Sequence, residues 1–242
     1  GMIALLAIFY LVRGSVRLMS GRSGRTILRF DALERTVHWM TAASFIVLAI
    51  SGLNITFGRQ LVLPLLGPSA FSTVSEWLKY AHNFLSFPFT IGVLFMLVMW
   101  IKDNIPDRTD VEWLKEGGGI VGHKHPAARR FNAGQKGIFW IVVLGGIAMA
   151  ITGYMLMFPF WGGVGIANMQ LSQVVHGVVG VLFIAAILGH IYIGTLGMEG
   201  AFEAMGSGEV DMNWAKEHHS LWVKEEAARG HSSADPRMTP AE

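Results

Sequence analysis

The chain has 242 residues, of which 52% are hydrophobic and only 15% are charged, and its mean hydropathy is +0.45. This composition excludes an ordinary soluble domain and predicts an integral membrane protein. Because cysteine is absent, disulfides, thiolate metal sites and cysteine-bound iron–sulfur clusters are excluded within the chain, and its nine histidines become the expected ligands for haem or a transition metal.

The first apolar segment, Met2 to Val12, has about half the length that a membrane span needs. It predicts an interfacial helix or the end of an additional transmembrane helix. A signal-peptide core fits less well, because no positive region precedes it. The arginines that follow predict a basic loop near anionic lipid headgroups: Arg13, Arg17, Arg22, Arg25, Arg29 and Arg35.

Uncharged runs predict four membrane spans, near residues 36–57, 77–101, 135–158 and 170–196. The last two spans come from sixty-two consecutive uncharged residues, Gly137 to Met198, which are too many for one crossing. Proline, glycines and aromatics predict the break at Phe158 to Gly165. The segment 59–75 contains two prolines and is expected to be a connector. Pro88 is expected to kink the second span.

The distribution of Lys and Arg predicts the orientation. Six lie in the N-terminal segment, seven between residues 102 and 136, and four in the tail, whereas the two opposite connectors hold only Arg59 and Lys79. This asymmetry places both termini and the central loop on the cytoplasmic side. The predicted fold is an all-α integral membrane protein, an up-down four-helix transmembrane bundle with an extra N-terminal apolar segment. The predicted domains are an extension (1–28), the bundle (29–198) and a cytoplasmic tail (199–242).

Four histidines fall at matched depths in this topology. His176 and His190 lie fourteen residues apart, so one helix would carry them on the same side, separated by about 21 Å. His82 is expected at the outer level with His176, and His38 at the inner level with His190. Any one of them alone fits a hydrogen-bonded residue between helices about as well. Two matched pairs, without intramembrane Asp, Glu, Lys or Arg, favour two bis-histidine b haems and an electron-transfer chain across the bilayer. Small residues are expected to let a flat macrocycle approach the backbone: Gly52, Gly177 and Gly180.

The segment Phe131 to Lys136 is the candidate site for an electron acceptor on the inner side. Asn132 is a good N-cap, Gly134 lets a ligand reach the backbone, and Gln135 can donate or accept a hydrogen bond. A helix N-terminus favours a developing oxyanion. The same residues fit an ordinary N-cap followed by Lys136 reaching to the membrane interface, and the residues alone leave both interpretations open.

Strings of residues taken together and in order resemble the cytochrome b556 (gamma) subunit of membrane-bound respiratory formate dehydrogenases, from about Arg29 to Trp222. They are TVHW around His38, YAHNF around His82, NIPDRTDVEWL at 104–114, FNAGQK at 131–136, VVHGVVG around His176, LGHIY around His190 and WAKEHH at 214–219.

The resemblance implies two haem b groups, one bound by His82 and His176 on the outer side and the other by His38 and His190 on the inner side. It implies contacts from Asn132, Gly134, Gln135 and His190 to a quinone, either menaquinone or ubiquinone. It also implies a bacterial cytoplasmic (inner) membrane, a periplasmic iron–sulfur (beta) subunit, and a catalytic (alpha) subunit in which molybdenum or tungsten on a pterin oxidises formate. No residue of this chain is then catalytic in formate oxidation. Membrane lipids are expected around the bundle, nucleic acid is not an expected partner, and a higher oligomer of the complex is left open.

Two alternatives remain at this point. The same electron-transfer module could serve another quinone-linked dehydrogenase, such as a nickel–iron hydrogenase or a thiosulfate reductase. A chain without haem could instead be a membrane anchor, or a transporter that uses its histidines as a proton relay.

Overall fold

A computed structural model describes residues 1–119, 126–159, 163 and 165–229. The N-terminal part consists of α1 (Met2–Arg13), β1 (Thr26–Leu28), α2 (Ala32–Leu61) and α3 (Leu63–Trp100). The middle of the chain forms α4 (Arg108–Lys115), α5 (Ala133–Met157) and α6 (Ile166–Tyr192), after which a π-helical turn spans Ile193–Gly197. The C-terminal part consists of α7 (Glu203–Gly206), β2 (Glu209–Asp211), α8 (Met212–His218) and α9 (Ser220–Ala228).

The all-α membrane fold with four spanning helices is confirmed. Among the described residues, the helices that are long and apolar enough to cross a bilayer are α2, α3, α5 and α6 with its π-helical turn. The segment 59–75 differs from its prediction as a connector, because α3 begins within it at Leu63. Gly67, with a φ of 75°, interrupts the helical geometry, and Pro68 begins the next turn. A proline in a first helical turn loses no hydrogen bond, so the prolines here permit a helix to restart.

Two compact units divide the chain. The first contains Gly1–Arg35, Met99–Trp140 and Ala186–Glu242, and the second contains Thr36–Val98 and Ile141–Ala185. The domain boundaries expected from the sequence, at residues 28 and 198, stay predictions.

Within the second unit, side-chain contacts give the relative directions of the spans. In α2 and α3, residues later in one helix contact residues earlier in the other: a Cβ at Gly92 would meet Thr41, and Ser51 bonds His82. The same reversal relates α5 and α6, where Thr152 bonds His176 and Phe183 lies at Gly145. Antiparallel neighbours of this kind are those of an up-down helical bundle.

Three phenylalanines form the aromatic centre of the second unit. The rings of Phe45 and Phe183 lie 4.8 Å apart between centroids, and Phe89 lies 6.0 Å from Phe45 and 6.2 Å from Phe183. Phe89 and Phe183 are both buried. Offset and tilted ring contacts at these distances add to the apolar burial that holds helices α2, α3 and α6 together.

In the first unit, the segment after α1 lies along the C-terminal segment. Strand β1 pairs antiparallel with β2, with Thr26 opposite Asp211 and Leu28 opposite Glu209. The basic loop expected here differs from its prediction at three arginines. Arg22 forms an ion pair with Glu203, Arg35 donates to the carbonyl of Gly206, and Arg29 is buried. Glu203 and the carbonyl of Gly206 in the C-terminal segment bind Arg22 and Arg35, whereas His219 and the carbonyl of Arg130 bind Arg29.

Arg29 and His219 form the polar centre of the first unit. The Arg29 guanidinium lies 5.0 Å from the ring centre of Trp222 and 5.3 Å from that of Trp214. Its Nη2 donates to Nε2 of His219 over 3.1 Å, so Nδ1–H of His219 donates to the carbonyl of Arg129 over 2.7 Å. Burial, and then the nearby Arg130, lower the pKa of Arg29 to about 9. Burial, and then the charge of Arg29, hold the pKa of His219 well below its usual value.

The neutral His219 makes stability depend on pH. Its pKa is depressed in the fold, so the unfolded chain binds the extra proton below about pH 6.5, and stability is lost as the pH falls through that value. We expect the unfolding free energy to fall by up to about 1.4 kcal/mol per pH unit below pH 6.5 on account of this group. Thermal unfolding in detergent between pH 7.5 and 5.5 should show a flatter pH dependence for His219→Gln. The control, His218→Gln, removes only a minor contribution to the lowered pKa of His219 and should keep most of the wild-type slope. Equal slopes for His219→Gln and the wild type would contradict this assignment.

Candidate functional site

Two of the candidate histidines meet inside the second unit. His82 lies on α3 and His176 on α6, and their ring centroids are 6.2 Å apart with an angle of 66° between the rings. Both side chains are partly buried among the apolar helices. The structure therefore brings together the pair that the sequence placed at the outer level.

Each of these imidazoles is held at Nδ1 by a hydroxyl from the preceding helix. Ser51 Oγ lies 2.8 Å from Nδ1 of His82, and Thr152 Oγ1 lies 2.9 Å from Nδ1 of His176. The hydroxyls donate their own protons to backbone carbonyls one turn back, Ser51 to Val47 over 2.6 Å and Thr152 to Ala148 over 2.7 Å. With that proton on the carbonyl, each hydroxyl oxygen is left to accept from the imidazole. This arrangement assigns the proton of both imidazoles to Nδ1 and leaves Nε2 unprotonated.

The residue after each hydroxyl is a glycine that makes room for the ring. A Cβ at Gly52 would lie 3.3 Å from Cε1 of His82, and one at Gly153 would lie 3.1 Å from Cε1 of His176. Gly52 was expected to admit a macrocycle, and here it borders the imidazole. Gly180 borders Met149, and Gly177 faces open space within 4 Å.

The pair fits the axial ligands of a haem. Metal–imidazole bonds are about 2 Å long, so two imidazoles facing each other across one iron have ring centres about 6 Å apart. The separation of 6.2 Å agrees with that arrangement. Within the described part of the chain, no three or more His, Asp or Glu side chains form a metal-binding group. Two imidazoles at this separation suit a metal whose other ligands come from a macrocycle.

The second predicted pair falls in different units. His38 is in the second unit, where its ring contacts that of Trp39 at 5.1 Å, and His190 is in the first unit near the end of α6. Helix α6 carries both His176 and His190 without interruption, as their spacing predicted. The pairing of His38 with His190 stays a prediction.

The proposed acceptor residues form the first turn of α5. The side chain of Asn132 accepts from the amide of Gln135 over 2.9 Å, and the side chain of Gln135 accepts from the amide of Asn132 over 3.1 Å. This is a reciprocal capping arrangement, which uses the oxygen of each side chain and leaves the amide NH₂ groups as donors. Gly134 is exposed, and a Cβ there would lie 3.2 Å from the indole of Trp113. Trp113 was given no role in the sequence interpretation, although it lies in one of the motif strings.

Lys136 differs from the interpretation of an interfacial side chain. It is only 4% exposed, and its ammonium lies 2.8 Å from Oδ2 of Asp110 and 3.4 Å from Oδ2 of Asp107. It also donates to the carbonyl of Ile105. The carboxylates come from the capping box of α4, which the sequence did not link to Lys136. Lys136 therefore joins the start of α5 to the start of α4.

Residues 29–52 and 130–153 form an internal repeat that the sequence interpretation missed. The two blocks align with an offset of 101, from RFDALER and RFNAGQK to AISG and AITG. The repeat places Ser51 opposite Thr152 and Gly52 opposite Gly153, so the two ring-holding pairs occupy equivalent positions. The same offset relates the capping pairs, since Asp31 and Glu34 bond each other's backbone as Asn132 and Gln135 do. Comparison of the chain with itself is the signal that would have found Ser51 and Thr152.

Similar proteins agree with the resemblance stated from the motifs. The family model described as prokaryotic cytochrome b561 matches residues 29–208. The cytochrome b556 subunit of the nitrate-inducible formate dehydrogenase of Escherichia coli (strain K12) is 28% identical over 83% of this chain and 92% of its own length. A second formate dehydrogenase cytochrome b556 subunit of that strain is 29% identical over 83% of this chain and 93% of its own. The formate dehydrogenase cytochrome b556 subunit of Haemophilus influenzae is 24% identical over 83% of each chain.

The buried ion pair at the start of α5 gives a prediction. Replacing Lys136 by Met leaves the carboxylate of Asp110 buried without its cation, which should cost about 3 kcal/mol or more of unfolding free energy. The double variant Lys136→Met with Asp110→Asn removes both charges, and the amide can still accept from the backbone of Asp107. We expect a lowered thermal unfolding midpoint for the single variant and partial recovery for the double variant. Additive losses in the double variant would show that the two side chains do not stabilise each other.

Proposed function

This chain belongs to the prokaryotic cytochrome b561 family, and from that premise we propose that it is the membrane cytochrome b subunit of a respiratory formate dehydrogenase complex. In this role it carries electrons from a periplasmic iron–sulfur subunit, through two bis-histidine b haems, to a quinone reduced on the cytoplasmic side. The names of the similar proteins, all of them formate dehydrogenase cytochrome b556 subunits, support the choice of complex. Helices that can span a bilayer support the placement in the membrane.

The observation that carries the proposal is the 6.2 Å separation between the ring centroids of His82 and His176. A haem, when bound, supplies one-electron transfer between the ferrous and ferric states of its iron. The chain supplies two unprotonated Nε2 atoms for it, each kept in that tautomer by a hydroxyl. The phenylalanines around Phe183, on helices α2, α3 and α6 of the second unit, provide an apolar surrounding. His38 and His190 are the proposed ligands of the second haem.

The proposed quinone site is the first turn of α5 with His190. Asn132 and Gln135 have amide N–H groups that can donate to a quinone carbonyl, while their oxygens are occupied by the cap. Gly134 leaves the backbone open, and the indole of Trp113 borders it. The positive end of the helix dipole favours an oxygen that gains negative charge. The buried Lys136 fixes this turn through Asp110.

The remaining parts of the proposal concern location and partners. The excess of Lys and Arg on one side supports cytoplasmic termini and a bacterial inner membrane. A separate catalytic subunit with molybdenum or tungsten on a pterin would oxidise formate, and an iron–sulfur subunit would connect it to this chain. A module of the same kind serving another quinone-linked dehydrogenase is the alternative, and identifying the subunits that copurify with the chain distinguishes the two.

The first test counts haems. In the purified complex we expect two b haems per chain by the pyridine haemochrome assay, and one in His82→Ala and in His176→Ala, because each variant leaves a single axial nitrogen at the outer site. His218→Ala, outside the proposed sites, should keep both. Wild-type protein without a b-type absorption band would identify a haem-free anchor or transporter, and two haems in the His82 and His176 variants would refute this pairing.

The second test uses the internal repeat as its control. Asn132→Ala and Asp31→Ala each remove the side-chain oxygen that caps a helix, at equivalent positions of the two blocks, and each should cost about 1 kcal/mol of stability. Only Asn132→Ala and Gln135→Ala should lower formate-driven quinone reduction, by tenfold or more, while formate reduction of an artificial dye persists in all variants. Equal losses of quinone turnover in Asn132→Ala and Asp31→Ala would assign Asn132 to the cap alone.

A further inference from the structure

We propose that Ser51 and Thr152 are positioning residues that set the tautomer and electron donation of the outer haem ligands. This inference rests on the proposed function, because it assigns a role at the pair formed by His82 and His176. The two hydroxyls would lower the midpoint potential of one haem and leave the other unchanged.

Each of the two hydroxyls has one proton and more than one neighbour that could accept it. Ser51 Oγ has carbonyl acceptors at 2.6 Å (Val47) and 3.1 Å (Leu48), and Thr152 Oγ1 has them at 2.7 Å (Ala148) and 3.3 Å (Met149). We assign the single hydroxyl proton to these carbonyls, which leaves each oxygen with only lone pairs to offer Nδ1. In this assignment the imidazole is the donor, and its second nitrogen keeps a lone pair for iron.

A hydroxyl residue followed by a glycine contacts an imidazole twice in the structure, on two different helices. Ser51–Gly52 in α2 and Thr152–Gly153 in α5 are equivalent positions of the internal repeat. In each, the hydroxyl binds one imidazole and the next residue, a glycine, borders that same ring. The histidines follow a matching pattern, since Phe89 and Phe183 each lie seven residues after one of them and contact each other at 6.2 Å. Both copies of the repeat thus keep the same arrangement.

Thr56 shows that a hydrogen bond from a hydroxyl to a carbonyl one turn back does not by itself bring the hydroxyl to an imidazole. It lies on α2, and its hydroxyl donates to the carbonyl of Gly52 over 2.9 Å, as a hydroxyl in a membrane helix commonly does. Thr56 is exposed. It therefore offers a matched control with the same helix and the same local hydrogen bond.

An acceptor at Nδ1–H raises the basicity of the opposite nitrogen, which favours ferric over ferrous iron and lowers the midpoint potential. A hydroxyl does this without adding charge to the membrane interior, where a carboxylate would be costly. It also fixes the rotation of each ring about its Cβ bond. Ring orientation and ligand basicity both determine the electron paramagnetic resonance spectrum of a ferric low-spin haem.

The experiment compares Ser51→Ala and Thr152→Val with the control Thr56→Val in the purified complex. Haem content, redox potentiometry and electron paramagnetic resonance are measured on each. We expect two haems in every case, with an upward shift in the potential of the haem that His82→Ala removes, and a changed low-spin signal, in the first two variants only. Thr152→Ser, which keeps the hydroxyl, should retain the wild-type values. Potentials and spectra equal to those of Thr56→Val would overturn the inference.

Loss of the outer haem is also decisive. If Thr152→Val loses it and Thr152→Ser keeps it, the hydroxyl is required for ligation and the inference stands. If Thr152→Ser loses it as well, side-chain shape and not the hydroxyl governs the site, and the inference fails. A wild-type complex that contains no haem refutes the proposed function instead, and redox potentiometry of the wild type separates that result from the others.

Discussion

The requirement that every buried imidazole nitrogen find a partner governs the centre of this protein. In an apolar helix bundle an unsatisfied polar atom costs a large part of the stability of a small domain. His82 and His176 satisfy one nitrogen each through a hydroxyl, and the contact of each hydroxyl with a backbone carbonyl assigns the imidazole as the donor of that bond. The two rings lie 6.2 Å apart between centroids. The hydrogen bonds at Nδ1 thus leave each ring with one nitrogen lone pair, which a metal or a proton can bind.

The repeat of residues 29–52 at 130–153 explains why the arrangement has two similar halves. Arg29 and Arg130 hold equivalent positions, and each donates from Nη2 to the backbone carbonyl of the other. Phe30 and Phe131, also equivalent, have rings 5.8 Å apart. These reciprocal contacts are those expected when two copies of one segment meet about an approximate two-fold axis. The helix starts in the first unit and the hydroxyl–glycine pairs in the second are therefore products of one repeated sequence.

The sequence predicts the features that depend on periodicity, length and charge, such as the membrane spans. It does not predict the features that depend on contacts between distant segments, such as the burial of individual charged side chains. The four spans follow from uncharged runs, since each must bury its backbone polar groups in a helix. The prolines of segment 59–75 predict a connector without helix, but a helix begins there at Leu63 because Gly67 and Pro68 allow it to restart. The burial of Arg29 and Lys136 was missed for a different reason. Their partners, His219 and Asp110, lie 190 and 26 residues away, and local sequence carries no sign of such pairings.

The divergence between the two halves is as informative as their similarity. In the first block, Glu34 accepts from Arg130 and from the indole of Trp100, both over 2.6 Å, so its carboxylate is fully engaged in holding the unit together. Its equivalent, Gln135, is neutral, and Gly134 stands where the first block has the exposed Leu33. A neutral amide next to a glycine suits a ligand that gains electrons and protons. A carboxylate at the same position would repel the negative charge that develops on such a ligand. The capping geometry is the same in both copies, whereas the first copy alone has the carboxylate of Glu34 and the bulk of Leu33 at these positions. That asymmetry supports the proposal that a quinone binds at the start of α5 and not at the start of α2.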